Sequence, residues 1–405
     1  MFEIEEVRNN SAKIKVVGVG GAGGNAVNNM ISANLKGIEF IAINTDVQVL
    51  STSLANTAIQ IGRSTTRGLG AGSDPTKGRE AALENKDEIA DTLRGADMVF
   101  ITAGMGGGTG TGAAPIVADI AREIGALTVA VVTKPFFYEG RKRAVNAEQG
   151  IKDLRNSVDT SIIIPNDRIT LVVDKGTPLI KSFSIANDIL RQAIQGISDL
   201  ILTPGLINLD FADVHTIMNS SGRAVMGVGT GSGDNSSAEA AKRAISNPLL
   251  EESSIEGARG ILINITGGLN LSLSSIEDAT GLVYDAAHED ANIIFGAVVD
   301  PDLSDEIRVT VIATGFEEKK EPVKEKEKAQ VAMPAVRPLP MADLKKPAPA
   351  APLKRAVETL KGSSRVLSKS LLDELEHEQI VAQVMNCDDA LDAPTFLRKM
   401  KERHP

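Results

Sequence analysis

Tryptophan is absent, tyrosine occurs twice, and aromatic residues make up 3% of the 405-residue chain. Single-stranded nucleic acid is usually held on exposed aromatic platforms, so this scarcity argues against that class of ligand. A formal net charge of −10 points the same way, because a nucleic-acid footprint calls for clustered basic side chains. One cysteine, Cys387, excludes both a disulfide framework and a cysteine zinc site, and it fits a reducing compartment. The four histidines, His215, His288, His377 and His404, are scattered without metal-ligand spacing. No apolar run approaches the roughly 18 residues needed to cross a bilayer. The opening MFEIEEVRNNS has no apolar core of the kind a signal peptide carries. The expectation is a soluble cytoplasmic chain, with no nucleic-acid partner and no direct membrane insertion.

What is present begins with rhythm. Val-, Ile- and Thr-rich runs at 14–17, 39–44, 98–103, 127–134 and 160–165 read as buried strands. Helical spacing fills the gaps, for example at 26–33 and 113–124. Strand, helix, strand at this interval predicts a parallel sheet covered on both faces. The stretch 183–218 reads as helical with a break at Thr203-Pro204-Gly205. A second, smaller α/β unit follows, with helices at 238–245 and 276–287 and strands at 260–266, 293–299 and 307–314. Past Phe316 the composition changes: 317–328 is a mixed-charge run, and seven of the 17 prolines fall between Pro322 and Pro352. Such a segment buries too little apolar surface to offset its ordering entropy, which predicts a disordered linker. Leu367, Leu371 and Leu375 keep helical spacing within it. The boundaries read as a flexible start (1–12), a first α/β domain (13–182), a central helix and the loop region after it (183–222), a second α/β domain (223–316), a linker (317–385) and a terminal peptide (386–405).

Two glycine loops follow two of the strands. The first is Gly18-Val19-Gly20-Gly21-Ala22-Gly23-Gly24-Asn25. Glycine permits positive φ and close backbone approach, and the following helix start offers free N–H groups to an anion. With Asp46 at the spacing of a ribose-binding acid, this loop alone fits a dinucleotide site as well as a tight packing turn. The second is Gly104-Met105-Gly106-Gly107-Gly108-Thr109-Gly110-Thr111-Gly112, before Ala113-Ala114-Pro115. A run of Gly and Thr with no Lys or Arg makes a backbone nest that can wrap a triphosphate, with hydroxyls adding donors. Each amide bond to a charged oxygen contributes on the order of 1.5–3 kcal/mol, so several replace the lysine of a P-loop, which this chain lacks.

At Gly106-Gly-Gly-Thr-Gly-Thr-Gly112 and at Asn208-Leu-Asp-Phe-Ala-Asp213 the chain resembles the FtsZ family, the bacterial relatives of tubulin. The resemblance runs almost continuously from Ile14 to Phe316 and resumes in the last dozen or so residues. It implies a Rossmann-like GTPase domain joined by a central helix to a smaller α/β domain, and a protein that polymerises head-to-tail into the filaments of the cell-division ring at mid-cell. It also implies GTP and GDP as ligands, contacted by Gly21 to Asn25 and by Gly107, Gly108, Thr109, Gly110 and Thr111. In Pro135-Phe-Phe-Tyr-Glu139-Gly-Arg-Lys-Arg143 the matching Glu139 and Arg143 are implied at the ribose and the phosphates. A carboxylate can accept ribose hydroxyls and a guanidinium suits phosphate charge. Asn166 is implied on the ribose side, Phe183 against the base, and Asn187 with Asp188 as the pair reading guanine; an Asp there accepts from N1–H and the 2-amino group, donors that adenine lacks.

Neither loop contains a water-positioning group. Asp210 and Asp213 lie three apart at a helix start, so they share a face; on their own they also read as a helix cap and dipole partner. The resemblance implies that they enter the next subunit's nucleotide site, orienting water and helping to hold a cation, with Asn208 assisting and Mg²⁺ as the counter-ion. The closing Leu391-Asp-Ala-Pro-Thr-Phe-Leu-Arg398 is similar to the family's partner-binding peptide, which would tie filaments to membrane-tethering division proteins. It departs at Ala393 and Thr395, where the usual Ile and Ala are missing, a change expected to lower partner affinity by about 1–2 kcal/mol.

Overall fold

The computed structural model describes residues 12–316, apart from 172, 174, 175, 204, 208, 220, 234, 249–254 and 302. β1 (Ile14–Val19) leads into α1 (Gly20–Ser32), β2 (Ile38–Asn44) into α2 (Val47–Leu50), and β3 (Thr57–Gln60) into α3 (Arg63–Thr66), α4 (Pro75–Glu84) and α5 (Lys86–Leu93). β4 (Met98–Gly104), α6 (Thr109–Glu123), β5 (Leu127–Lys134), α7 (Arg141–Ser157), β6 (Thr160–Pro165) and the one-turn α8 (Asn166–Ile169) continue the alternation. The 24-residue α9 (Leu179–Leu202) and α10 (Phe211–Met218) bring the chain to β7 (Gly222–Ser232). α11 (Ser236–Ile245), β8 (Gly260–Gly267), α12 (Leu273–Ala286), β9 (Asn292–Val299) and β10 (Glu306–Thr314) close the described chain.

The ten strands form one sheet in the order β3-β2-β1-β4-β5-β6-β7-β10-β8-β9, in which β10 alone runs antiparallel to its neighbours. Alternate residues of the central strands feed two separate cores. Val17, Val19, Ile41 and Ile101 pack under the face covered by α4, α5, α6 and α7, while Val16, Phe40, Met98 and Phe100 pack under α1, α9 and α10. That is why these strands read as continuous apolar runs: both faces are buried. A third core joins α11 and α12 to β8 and β10.

β7 is a strand that the pattern of apolar residues does not announce. Its Gly227, Gly229 and Gly231 recur with the two-residue period of a strand and so lie on one face. A Cβ on them would run into the backbone oxygens of Ala244, Ala240 and Ser236. These glycines let α11 lie directly on the sheet, and the same glycines hide the strand from a propensity reading.

α9 starts at Leu179, four residues before the sequence-based start at Phe183. Ala186, Ile189, Leu190, Ala193, Ile194, Ile197 and Leu200 form its buried stripe, at helical spacing. Phe183 near its start meets Phe136, just past the end of β5. At its other end Leu202 touches Gly37, just before β2; a Cβ there would lie 3.0 Å from Leu202 Cδ1. The helix therefore travels from the C-terminal edge of the strands to the N-terminal edge. On its way it carries the partly buried Asp199, whose carboxyl burial pushes up to about 6 against the opposing pull of Gln195 and Arg308. Among the described residues no helix is long and apolar enough to cross a membrane.

Candidate functional site

The strand order reverses between β1 and β4, and the two glycine loops meet there, past the C-terminal ends of both strands, where open α/β sheets bind ligands. Gly20 has φ 75°, and a Cβ on it would lie 2.9 Å from the Gly110 amide nitrogen, so only glycine lets the two turns touch. Gly18 and Gly23 are equally constrained, since a Cβ on Gly18 would reach 2.5 Å from the Gly23 carbonyl. Gly21, Gly24 and Gly107 face open space instead, and Ala22 and Asn25 are exposed beside them. α1 and α6 both start at this point, neither with an acidic residue in its first turn nor a side-chain cap. Two helix starts with unclaimed N–H groups and aligned dipoles make an anion site.

The threonines hold this nest in shape. Thr111 is buried, and its hydroxyl accepts from the Gly106 amide at 2.8 Å, which leaves its own proton available. The Thr109 and Thr45 hydroxyls are 2.7 Å apart. Gly108 packs against Ala71 and Asp74, so the segment 67–74 forms a wall of the nest. This wall was not singled out from the sequence, although the alternation in Gly68-Leu-Gly-Ala-Gly72 is a usable signal. Asp46 does not stand free as a ribose acid: it caps α2, accepting from Gln48 N at 2.9 Å, and its backbone bridges to Leu69 of the wall.

The other sequence-derived residues follow along the same edge. After β5, Glu139 accepts from Phe136 N at 3.0 Å and from the Arg143 guanidinium, while Gly106 leaves room for the Arg143 carbonyl, 2.8 Å from where a Cβ would sit. Asn166, after β6, is 6% exposed, and its Oδ1 has no hydrogen-bond partner. A buried acceptor without a donor is costly, and it is an observation that fits a hydroxyl-bearing ligand. Phe183 sits edge-on to Phe136, ring centroids 5.5 Å apart, and remains 40% exposed. Asn187 is half-buried one turn on, and Asp188 is oriented by Arg191 and Gln192, each at 2.7 Å. Each Asp188 oxygen keeps a lone pair for a further donor.

Asp210 and Asp213 are elsewhere. Asp210 is the N-cap of α10, its carboxylate accepting from Asp213 N at 2.9 Å. Both are exposed. Desolvation, and then the Asp210 charge beside it, raise the Asp213 carboxyl above its ordinary value. α9 ends against Gly37 before β2, and α10 ends where the Met218 carbonyl accepts from Thr160, the first residue of β6. The acid pair therefore lies toward the N-terminal edge of the sheet, a strand length of about 20 Å from the glycine loops. The chain does not bring its own acids to its own nest. Asn208 and the peptide 391–398 lie outside the described residues. Among the described residues no group of three or more His, Cys, Asp or Glu could hold a metal. A divalent cation would take phosphate oxygens, water and one or two carboxylates, which is how Mg²⁺ is commonly bound.

Residues 13–174 match the GTPase domain of the Tubulin/FtsZ family, and residues 222–317 match the C-terminal domain of the FtsZ family. An empty FtsZ dimer from M. jannaschii is 43% identical, with a TM-score of 0.73 over 76% of this chain and 89% of that one. A point mutant of FtsZ from the same source gives 43% identity and a TM-score of 0.72, over 76% of this chain and 92% of that one. CetZ2 from Haloferax volcanii, solved as a GTPγS-bound protofilament, shares the fold at 22% identity, with a TM-score of 0.65 over 76% of this chain and 94% of that one.

Proposed function

Because the chain belongs to the FtsZ family of tubulin-related GTPases, we propose that it holds GTP in the two-loop nest and hydrolyses it only when a second copy docks its acidic edge on top. The observation that carries this reading is the separation just described: backbone donors at one edge of the sheet, carboxylates toward the other. In this reading the phosphates lie on the amides of Gly21 to Asn25 and of Gly107 to Thr111. Arg143 adds charge, and Glu139 and the orphan acceptor of Asn166 take the ribose hydroxyls. The guanine stacks near Phe183 and donates to Asp188, while Asn187 supports its polar edge.

Hydrolysis needs a water aligned with the terminal phosphate and compensation of developing charge, not a strong base. Asp210 and Asp213 of the neighbouring copy orient that water through accepting oxygens, assisted by Asn208. Asp210 and Asp213, together with the phosphates, would help to hold a Mg²⁺ ion, which would supply neutralisation of the developing charge. Copies that complete each other in this heterologous way stack into an open filament rather than a closed ring of few subunits. Such filaments suit a cytoplasmic role in the division ring at mid-cell, with the peptide 391–398 binding a membrane-tethering partner. Deleting that peptide should leave assembly intact and abolish recruitment to the membrane.

Phosphate release per molecule should be near zero at nanomolar protein and rise above a threshold concentration together with light scattering. Activity per molecule that stays flat with dilution would defeat the shared site.

A further inference from the structure

The segment that walls the nest has a backbone that does not hold itself. Gly62, Arg67, Gly68, Gly70, Gly72 and Ser73 all have positive φ, between 53° and 83°, and two of them are not glycine. α3, in the middle of this stretch, is a single turn with no side-chain cap of its own. An element this short and strained needs support from outside.

Glu84 supplies it. One carboxylate oxygen accepts from the Ser64 amide at 2.9 Å and from the Ser64 hydroxyl; the other accepts from the Thr65 hydroxyl at 3.0 Å and, more loosely, from the Thr65 amide at 3.4 Å. The adjacent Asn85 accepts from Gly62 N at 2.9 Å. Glu84 is the last residue of α4, where a negative charge opposes the helix dipole. A locally unfavourable charge with four donors from another element is placed for that element. The hydrogen bonds from Ser64 and then Thr65 hold its carboxyl below the ordinary value.

The contacts continue inward. Thr66 is buried, and its hydroxyl lies 3.3 Å from the Thr45 carbonyl and 3.0 Å from that of Gly62. The Thr45 hydroxyl meets that of Thr109 at the first turn of α6. Beyond α3, the Gly70 amide reaches Thr45 O at 3.4 Å, and Ala71 and Asp74 press on Gly108. The strand order gives the wall a position along the ligand. A base near Phe183, beside β5 and β6, with phosphates over β1 and β4, sends its last phosphate toward β2 and this wall.

We infer that Glu84 is a positioning residue for the end of the phosphate chain: it clamps α3, so that Thr66, Thr45 and the segment 67–74 meet a third phosphate in a preset shape. The inference rests on the nest being a GTP site. A diphosphate does not reach the wall, so removing the clamp acts on the triphosphate selectively.

The test measures equilibrium GTP and GDP affinities of the full chain below its assembly threshold, for wild type, Glu84→Ala, Glu84→Gln and Glu123→Ala. Glu123→Ala breaks the exposed ion pair with Lys86 nearby and touches no part of the wall. Glu84→Ala should lower the GTP-to-GDP affinity ratio by about fivefold, a modest effect because the group is exposed. Glu84→Gln, which keeps one accepting oxygen, should fall between, and Glu123→Ala should match wild type. An equal loss of both nucleotides, or an unchanged ratio, overturns the clamp. Wild-type protein that binds neither nucleotide overturns the GTP reading itself, and that outcome is visible before any variant is made.

Discussion

The two ends of the parallel strands solve opposite problems. At the C-terminal edge the chain leaves backbone amides, two helix starts and the Asn166 oxygen without protein partners. Toward the N-terminal edge it sets two exposed carboxylates, one of them already serving α10 as a cap. In the proposed reading the first arrangement holds the anion and the second orients the water that attacks it. Such a division of labour makes sense for a molecule whose chemistry is finished between copies.

Damage to the first edge should be the most severe. Gly20→Val puts a branched side chain at positive φ and onto the Gly110 amide, so nucleotide affinity should fall about a hundredfold or more in equilibrium binding. Damage to the second edge should separate binding from turnover: Asp213→Ala should lower phosphate release about a hundredfold while GTP affinity stays within about twofold. Mixing the two variants sharpens the comparison. Random head-to-tail junctions pair an intact nest with an intact acid pair roughly a quarter of the time, so activity should return to about that level. A mixture as inactive as its components would mean that each copy uses its own acids.

A smaller effect tests the sheet between the edges. Gly229→Ala pushes a methyl into the α11 backbone and should cost about 2–3 kcal/mol in denaturant unfolding while leaving nucleotide affinity alone. Gly21→Ala, facing open space, should cost almost nothing in stability. The smallest concerns Asp199. Its folded pKa of about 6 lies above the roughly 3.9 of an unfolded Asp, so folding favours the protonated form. The resulting stability is fully present below about pH 4 and lost as pH rises through 6. Asp199→Asn should therefore be more stable than wild type at pH 8 by about 1–2 kcal/mol, once solvent screening is allowed for, with the gap closing toward pH 4.

Much of this was legible in the residues. β1, β2, β4, β5 and β6 are apolar on both faces, and a run such as Met98-Val-Phe-Ile leaves little choice of state. The second glycine loop was readable because a run of Gly and Thr without Lys or Arg has no use in a core, whereas the first, on its own, reads equally well as a packing turn. β7 was not readable, because Gly227, Gly229 and Gly231 are there for a neighbour 5 to 17 residues downstream, and that packing has no local signature. α4, α5 and α7 were also left unassigned, and with them Glu84, whose carboxylate finds its partners 19 and 20 residues back along the chain. The distance between Asp213 and the nest could not come from spacing either. It depends on α9 crossing the whole sheet, and a helix's length says nothing about which edge it reaches.

The orphan oxygen of Asn166 has a consequence for the life of the molecule. A nearly buried acceptor without a donor costs an empty chain about 1–3 kcal/mol, and in the proposed reading a ribose hydroxyl would remove that cost. Occupancy and thermal endurance would then be linked: the loaded form would melt later, and exchange of one nucleotide for another would have to pass through its least durable state.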